Sequence, residues 1–231
     1  MALLSELADR AQNAVDDASG GVYTQAVIEE WICEAIRDYN NYFRRTLTIS
    51  QNIATDASTL TVSRLVREVL HVEYPSGNSP PTLLTRKSRY AADFYHAVDN
   101  FDFEPVGEYG ATEDGGVSPY LIFSSNPTVS DGIVVLTRAI HDAELDSTDL
   151  VTVPDEHHHL LVLFVVWKAL SERTASQSKY PDTTIRLIQQ LKESARIAEA
   201  DYRRAIALAQ ETAGSSAMTP AWVMDKHDRI Y

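Results

Sequence analysis

The spacing of the apolar residues changes twice along this chain, and that change constrains the fold more than any other feature. Apolar residues recur every three or four positions from Val27 to Phe43, which is the pattern of a helix with one buried face. From TLTIS at 46–50 onward the spacing falls to two, which is typical of strands buried on one side. Helical spacing returns after Pro154. This order predicts helices on both sides of a β-rich insertion at 46–141.

Four segments have helical patterns. The first runs from Leu3 to Val15, and the second follows Thr24, whose side chain suits an N-cap position. The run LLVLFVVW at 160–167 is apolar almost all round, so we expect its helix to be central and covered by its neighbours. The last helix, predicted from about 182 to 210, has an Ala-rich seam that indicates close packing against another helix.

The insertion alternates strand patterns with turn-rich loops. TLTV at 59–62 and LHVEY at 70–74 alternate in polarity, and the later segments YLIFSS and GIVVLTRAI are predicted to form a strand pair. RKSRYAADFYHAV at 86–98 is predicted to be a short helix. Residues 99–118 are Gly-rich and acidic, which is typical of a surface or interaction loop.

Together these patterns predict a mainly α protein. We expect a small helical bundle of about four helices with an inserted antiparallel β subdomain and an extended C-terminal arm. The N-terminal helices of the bundle occupy 1–45, and its C-terminal helices occupy 142–211, on either side of the insertion. Residues 212–231 are predicted to be a linker followed by the arm.

The segment TAGSSAMTPAWVMDKHDRIY combines small residues with apolar and aromatic groups that are normally buried. The small residues at 212–220 favour a flexible linker. The large groups that follow are candidate anchors for a partner protein. They are Trp222, Val223, Met224, Ile230 and Tyr231. Two interpretations remain open: an arm that docks on another subunit, or a segment that packs back onto its own bundle.

The charge of the chain is strongly negative. Asp and Glu total 33 against 20 for Lys and Arg, a net charge of −13, which argues against a protein that grips nucleic-acid phosphates. A short basic cluster, Arg86, Lys87 and Arg89, stands out from this background. It is either an ordinary solvated patch or a possible interface for an acidic partner. The single cysteine, Cys33, excludes an internal disulfide framework.

No sequence signal points to a membrane or to catalysis. LLVLFVVW is far shorter than the roughly 20 apolar residues that span a bilayer. The run DEHHH at 155–159 suggests a metal site, but successive helical residues point in different directions and cannot converge on one ion. Nucleophile elbows and phosphate-binding loops are absent from the sequence. We therefore expect no enzyme, no catalytic or metal-binding residue and no cofactor.

The order of these segments resembles the head-to-tail adaptor proteins of tailed bacteriophages, also called connector or head-completion proteins. The resemblance covers about residues 1–210. It rests on four segments in order, VLHVEYPSGNSPPTLLTRKSRYAADFY, YLIFSSNPTVSDGIVVLTRAI, VTVPDEHHHLLVLFVVWKALSER and ARIAEADYRRAIALA. The most specific element is VPDE before the apolar central helix, with a charged, Ala-rich helix after it.

The resemblance implies a virion structural protein of the neck that forms a ring, usually a dodecamer, beneath the portal protein. Such a ring extends the channel through which double-stranded DNA passes without specific binding, and viral genome ejection follows the same path. It joins the head to a downstream tail or stopper protein, and assembly takes place in the host cytoplasm. Carried onto this chain, the resemblance makes Thr219–Tyr231 the portal-binding arm. The β insertion and the 99–118 loop become candidates for contacts with neighbours or with the next tail component.

Three other functions are compatible with the sequence. A tail-completion or stopper protein would have the same partners in a different order along the neck. A metal-dependent hydrolase would use Asp155 and His159, which are four residues apart, with one further ligand. Candidates for that ligand are His71, His96, His141 and His227. A plain cytosolic helical binding module would keep the last segment folded against its own bundle.

Overall fold

A computed structural model provides the structure of the chain. It describes the backbone of residues 2–15, 22–55, 57–97, 99–105, 118–125, 131–180 and 185–227, with the burial of side chains given as far as residue 213. The chain divides into two compact units. Residues Met1–Phe43 and His141–Tyr231 form one, called here the helical unit, and Arg44–Ile140 form the other, called the β unit.

The helical unit contains four helices among its described residues. They are α1 (Leu4–Ala14), α2 (Gln25–Tyr39), α3 (His158–Gln177) and α4 (Ile185–His227). A short 3-10 helix, Asp155–His157, leads into α3. Helix α3 packs against α1, α2 and α4, so the prediction that the apolar run at 160–167 forms a central helix is confirmed.

The core of the helical unit forms where the apolar stripes of α1, α2 and α3 meet. Leu7, Ile28, Ile32 and Leu160 are among its fully buried side chains. Full burial of one such side chain stabilises a fold by about 1.5–3 kcal/mol. The stripes at three- and four-residue spacing in the sequence are therefore the physical basis of this unit.

An extended segment joins the start of α1 to the chain that precedes α3. The amide of Leu4 donates to the carbonyl of Asp149 over 3.0 Å, and the amide of Val151 donates to the carbonyl of Ala2 over 3.0 Å. Val151 and Val153 are buried in the same core as the helices. The segment that returns the chain to α3 thus belongs to the core of the helical unit.

The β unit contains seven strands among its described residues. They are β1 (Arg45–Ile53), β2 (Thr59–Thr61), β3 (Val66–Glu73), β4 (Thr85–Arg86), β5 (Asn100–Glu104), β6 (Tyr120–Phe123) and β7 (Asp131–Ala139). One sheet has the order β1-β7-β3, and the other has the order β2-β6-β5-β4. All pairings are antiparallel except that of β4 with β5, which is parallel.

The two sheets of the β unit share one hydrophobic core. Val72 and Val135 from the first sheet and Phe101 and Leu121 from the second belong to a single buried cluster. This core is separate from that of the helical unit. A chain with four helices and seven strands in its described part is mixed α/β, so the prediction of a mainly α protein is wrong. The β unit is a second folding unit with its own core rather than a small addition to the bundle.

Two local predictions in the insertion are also wrong. YLIFSS and GIVVLTRAI do form strands, but they do not pair with each other: β6 pairs with β2 and β5, and β7 pairs with β1 and β3. Alternation along a strand shows which face is buried but carries no information about which strand lies beside it. The helix predicted at 86–98 is only a 3-10 turn, Phe94–His96, which buries Phe94. Of the loop predicted at 99–118, residues 99–105 include β5, and 106–117 lie outside the described residues.

The linker predicted at 212–220 lies instead within α4, which continues to His227. Small residues suggest flexibility, but Ala has the highest helix propensity of all residues and continues a helix readily. The prediction of an extended arm from residue 212 onward is therefore wrong for the described backbone, which is helical as far as His227. Ile230 and Tyr231 lie outside the described residues.

Candidate interaction surfaces

The predicted anchors near the end of the chain are placed only in part. Trp222, Val223 and Met224 belong to the helical backbone of α4, which describes their position along the helix and not their side-chain contacts. The core contacts of α4 come earlier. Tyr202 and Ile206 are buried, whereas Glu211 and Thr212 are exposed. The helix therefore continues well past its last described buried residue.

Tyr202 fixes α4 to the rest of the helical unit. Its hydroxyl donates a 2.5 Å hydrogen bond to Oδ2 of Asp38. Its ring meets Phe164 edge to face at 5.4 Å between centroids and stacks on Trp167 at 6.1 Å. Burial first, and then the hydrogen bond to Asp38, raise the pKa of Tyr202 well above its usual value. The phenol consequently stays protonated and acts as the donor.

The basic cluster that the sequence singles out does not act as one patch. Arg86 is exposed and makes no ion pair within the described chain, while Lys87 pairs with Asp93. The hydrogen bond from Lys87 lowers the pKa of Asp93. The guanidinium of Arg89 lies 3.6 Å from Oε2 of Glu104, and these side chains are only 13% and 14% exposed. Arg89 is thus a largely buried residue that stabilises the β unit through its ion pair. Arg86 is the residue of this cluster that is exposed to a partner.

Two exposed tyrosines beside this cluster were not singled out from the sequence. Tyr90 and Tyr95 are 73% and 67% exposed. Nη2 of Arg89 donates to the Tyr90 hydroxyl over 2.7 Å, and Tyr95 meets the buried ring of Phe94 edge to face. Groups held in place while exposed make good interface anchors, because binding costs them little conformational freedom. The available signal was RKSRYAADFYH, where three basic residues are followed by three aromatic ones within eleven positions.

The histidine run at the start of α3 is structural. Nδ1 of His157 lies 2.6 Å from the hydroxyl of Tyr39. Burial, followed by the charge of Glu156, raises the pKa of Tyr39, so this hydroxyl is the donor and Nδ1 accepts. Nε2 of His158 donates to the carbonyl of Val153 over 3.0 Å, and His158 is buried. His158 is therefore part of the packed interior at the start of α3, and its neighbour His159 is exposed.

The same residues do not assemble a metal site. Oδ1 of Asp155 lies 3.6 Å from Nε2 of His158, whereas Nδ1 of His159 hydrogen-bonds the carbonyl of Glu156 at 2.8 Å. His141 is buried elsewhere in the core, with Nδ1 3.1 Å from the hydroxyl of Thr152. Within the described ranges, no three histidine, cysteine or acidic side chains are placed to hold one ion. Nor does any helix in that part of the chain have the length and apolar character needed to cross a membrane.

The chain combines a helical unit with a β unit and has exposed aromatic and charged side chains, among them Tyr95 and Arg86. Its class is that of the phage head-to-tail adaptors. The family described as SU10 adaptor protein matches residues 2–221, nearly the whole chain, and the chain belongs to this family. The resemblance drawn from the order of the segments is thereby confirmed. A search of curated proteins finds none that matches the chain.

Proposed function

We propose that this adaptor forms a ring of twelve copies beneath the portal, extends the DNA channel and attaches the tail, without catalysis. The family match over residues 2–221 supports a structural role in the phage neck. The observation that carries the finer proposal is α4, which continues from its buried contacts at Tyr202 and Ile206 to His227. A helix that extends past its own core is suited to reach a neighbouring protein.

In this proposal the portal-binding element is Thr219–Tyr231. Its candidate anchors are Trp222, Val223, Met224, Ile230 and Tyr231. Burial of apolar surface contributes roughly 25 cal/mol per Å², and this energy is released only when the element docks. Repetition around a ring would make many modest contacts act together.

The charge of the chain supports a channel that does not retain DNA. A net charge of −13 repels the phosphate backbone, so double-stranded DNA would pass without specific binding. The β unit would supply further contacts, through Tyr90, Tyr95 and Arg86, with a neighbour or with the downstream tail or stopper protein. Tyrosine and arginine are enriched among the residues that contribute most to binding at protein interfaces.

The test is to remove the proposed arm and measure binding to the portal protein of the same phage. A chain that ends at Met218 is compared with the full chain and with a variant whose residues 219–231 are scrambled. We expect only the full chain to co-sediment with portal rings. The scrambled variant has the same composition as the full chain, so its failure to bind would show that the order of the anchor residues matters. Equal binding by all three chains would contradict the role of the arm. Binding to an isolated tail protein but not to the portal would instead favour a stopper or tail-completion protein.

A further inference from the structure

The second half of α3 and the first half of α4 form an antiparallel hairpin that continues past the core. Ala169 on α3 and Tyr202 on α4 are the buried residues at its base. Among the described residues from Leu170 to Asp201, none is buried. Along α4 this stretch measures about 25 Å, at roughly 1.5 Å per residue. We call residues 170–180 and 185–201 the hairpin.

The hairpin lacks the packing that normally stabilises helices. Its seam is only half-buried, and Ile188, Leu191 and Ala195 on α4 contribute to it. Most of the stability of a protein helix comes from tertiary packing of an apolar face, and a pair of helices has little of it. Ile185 is 74% exposed and Leu187 is 42% exposed, so apolar groups remain uncovered near the turn. These features favour a further protein surface that covers the hairpin.

The hairpin has a slight excess of positive charge although the chain as a whole is acidic, because its described residues include five Lys and Arg against four Asp and Glu. Exposed cations lie on α3, just after its end and on α4, and they are Arg173, Lys179, Arg186 and Lys192. None of them makes an ion pair with any described residue. The nearest acid on α4, Glu193, is already held by Arg196 at 2.7 Å. Glu199 and Asp201 pair with Arg203 and Arg204 beyond the hairpin, and Glu172 is exposed beside Arg173. The charge of the hairpin that no ion pair compensates is therefore positive, in a chain whose net charge is −13.

A surface of opposite charge lies on the same unit, where the segment before α3 runs beside α1 and α2. The hydroxyl of Ser147 donates to Oε2 of Glu29 over 2.8 Å, which ties this segment to α2. Exposed carboxylates follow one another there, at Glu144, Asp146 and Asp149, and Leu150 beside them is 53% exposed. We call Glu29, Glu144, Asp146, Asp149 and Leu150 the acidic face. It combines carboxylates with an apolar group, just as the hairpin combines cations with apolar groups.

We propose that the hairpin of one copy docks on the acidic face of a second copy of this chain. The cations of the hairpin then meet carboxylates, and Ile185 and Leu187 are covered beside Leu150. Because the two surfaces differ, the contact is head-to-tail, and such a contact closes into a ring when the rotation permits. This inference rests on the proposed ring and assigns the surfaces that hold its neighbours together.

Two features favour a second copy over duplex DNA as the occupant. Phosphates would satisfy the cations but would leave the exposed side chains of Ile185 and Leu187 uncovered. A partner with both carboxylates and apolar surface satisfies both groups, and each copy of the chain already carries that surface. Electrostatic complementarity of this kind chiefly determines register and the choice of partner.

The contact is first tested by zero-length cross-linking of amines to carboxylates. Equal amounts of unlabelled and isotopically heavy chain are mixed, and the reaction is run both in free solution at high concentration and on portal rings. We expect mixed-isotope links from Lys179 or Lys192 to Glu144, Asp146 or Asp149. Links from these lysines only within one copy, or only to the portal, would overturn the inference.

Charge reversal then tests whether the two surfaces contact each other. The variant Arg186→Glu with Lys192→Glu should lower the number of copies retained per portal ring by about tenfold at low salt. The matched control, Arg44→Glu with Arg67→Glu, changes net charge equally at exposed positions of the β unit and should assemble normally. Adding Glu144→Lys and Asp146→Lys to the hairpin variant should restore assembly, because the charges are complementary again.

The outcomes separate this inference from the proposed function. Normal assembly of the hairpin variant would overturn the inference. So would a loss of assembly that the acidic-face reversal does not restore. In both cases the proposed function stands if the adaptor still binds the portal. The hairpin would bind DNA instead if the unaltered chain binds a DNA duplex in a salt-sensitive way, the hairpin variant does not, and no mixed-isotope links form. Failure of the unaltered chain to bind the portal counts against the proposed function. In that case the cross-links formed in free solution still show whether the hairpin contacts the acidic face of a second copy. Thermal melting of each variant confirms that the fold is retained.

Discussion

The hydroxyl of Tyr202 on α4 and the carboxylate of Asp38 on α2 are joined by a 2.5 Å hydrogen bond, although the two residues are 164 positions apart in sequence. This bond joins two parts of the helical unit that the β unit separates in sequence, because α2 precedes the insertion and α4 follows it. It also fixes the point at which α4 leaves the core. The position of the helix beyond Tyr202, and hence of any partner bound there, depends on this contact.

Tyr202→Phe should destabilise the protein by about 1–3 kcal/mol, because the carboxylate of Asp38 loses a hydrogen bond while the aromatic packing stays. Urea unfolding followed by tryptophan fluorescence measures the change. Tyr180→Phe, at an exposed position, is the matched control and should change stability by less than about 0.5 kcal/mol. Equal stability of the two variants would mean that water hydrogen-bonds Asp38 in place of the Tyr202 hydroxyl with no cost in free energy of unfolding.

The stability of the helical unit should fall as the pH is lowered from 7 toward 5. Burial lowers the pKa of both His157 and His158 below 6.5. The weaker opposing effects are the charge of Glu156 on His157 and, on His158, the hydrogen bond to Val153 followed by the charge of Asp155. The unfolded chain therefore takes up protons first as pH falls, so the stability is complete above about pH 6.5 and decreases below it. The loss continues down to the lower pKa values of the folded state.

Thermal melting at a series of pH values measures this dependence, at about 2–4 °C for each kcal/mol in a chain of this length. His158→Gln retains a donor for the carbonyl of Val153 but cannot be protonated, so its melting temperature should depend less on pH. The control is His159→Gln, because His159 is exposed. An unchanged pH dependence in the His158 variant would assign the effect to other groups.

Two arginines of the same basic cluster should behave differently. Arg89→Ala removes the ion pair with Glu104, whose side chain is only 14% exposed, and the hydrogen bond to Tyr90. We therefore expect a loss of about 1–3 kcal/mol in the β unit. Arg86→Ala should change stability by no more than about 0.5 kcal/mol, because Arg86 is exposed and makes no ion pair among the described residues. Chemical unfolding of each variant decides the comparison. Comparable losses would show that Arg86 also has a structural role.

Much of the fold could be predicted because burial leaves a periodic signature in the sequence. The stripe of Leu4, Leu7 and Ala11 predicted α1, and the two-residue alternation at 46–50 predicted β1; the structure has both. Strand partners could not be predicted in the same way. Strand β7 lies between β1 and β3, and those pairings depend on contacts between segments far apart in the chain.

The interaction surfaces were harder to predict than the fold. Arg86, Lys87 and Arg89 look alike in sequence, and only the positions of Glu104 and Asp93 show which of them are already paired. The exposure of the hairpin was also hidden. Its Ala-rich seam indicates helix packing, but it does not show that packing against the core stops at Ala169 and Tyr202.

The exposed tyrosines of the β unit provide the last prediction. Tyr90→Ser with Tyr95→Ser should leave the free energy of unfolding within about 1 kcal/mol, because both rings are largely solvated. If these rings contact a neighbour or the downstream tail protein, the same change should weaken that binding by about thirtyfold or more, the effect of removing an interface hot spot. Val22→Ser, an equally exposed apolar position in the helical unit, is the control. Biolayer interferometry against the portal–adaptor assembly and against the tail protein measures both. Unchanged binding to each would assign the tyrosines no part in the neck, and a loss confined to the tail protein would identify the β unit as the surface that receives the tail.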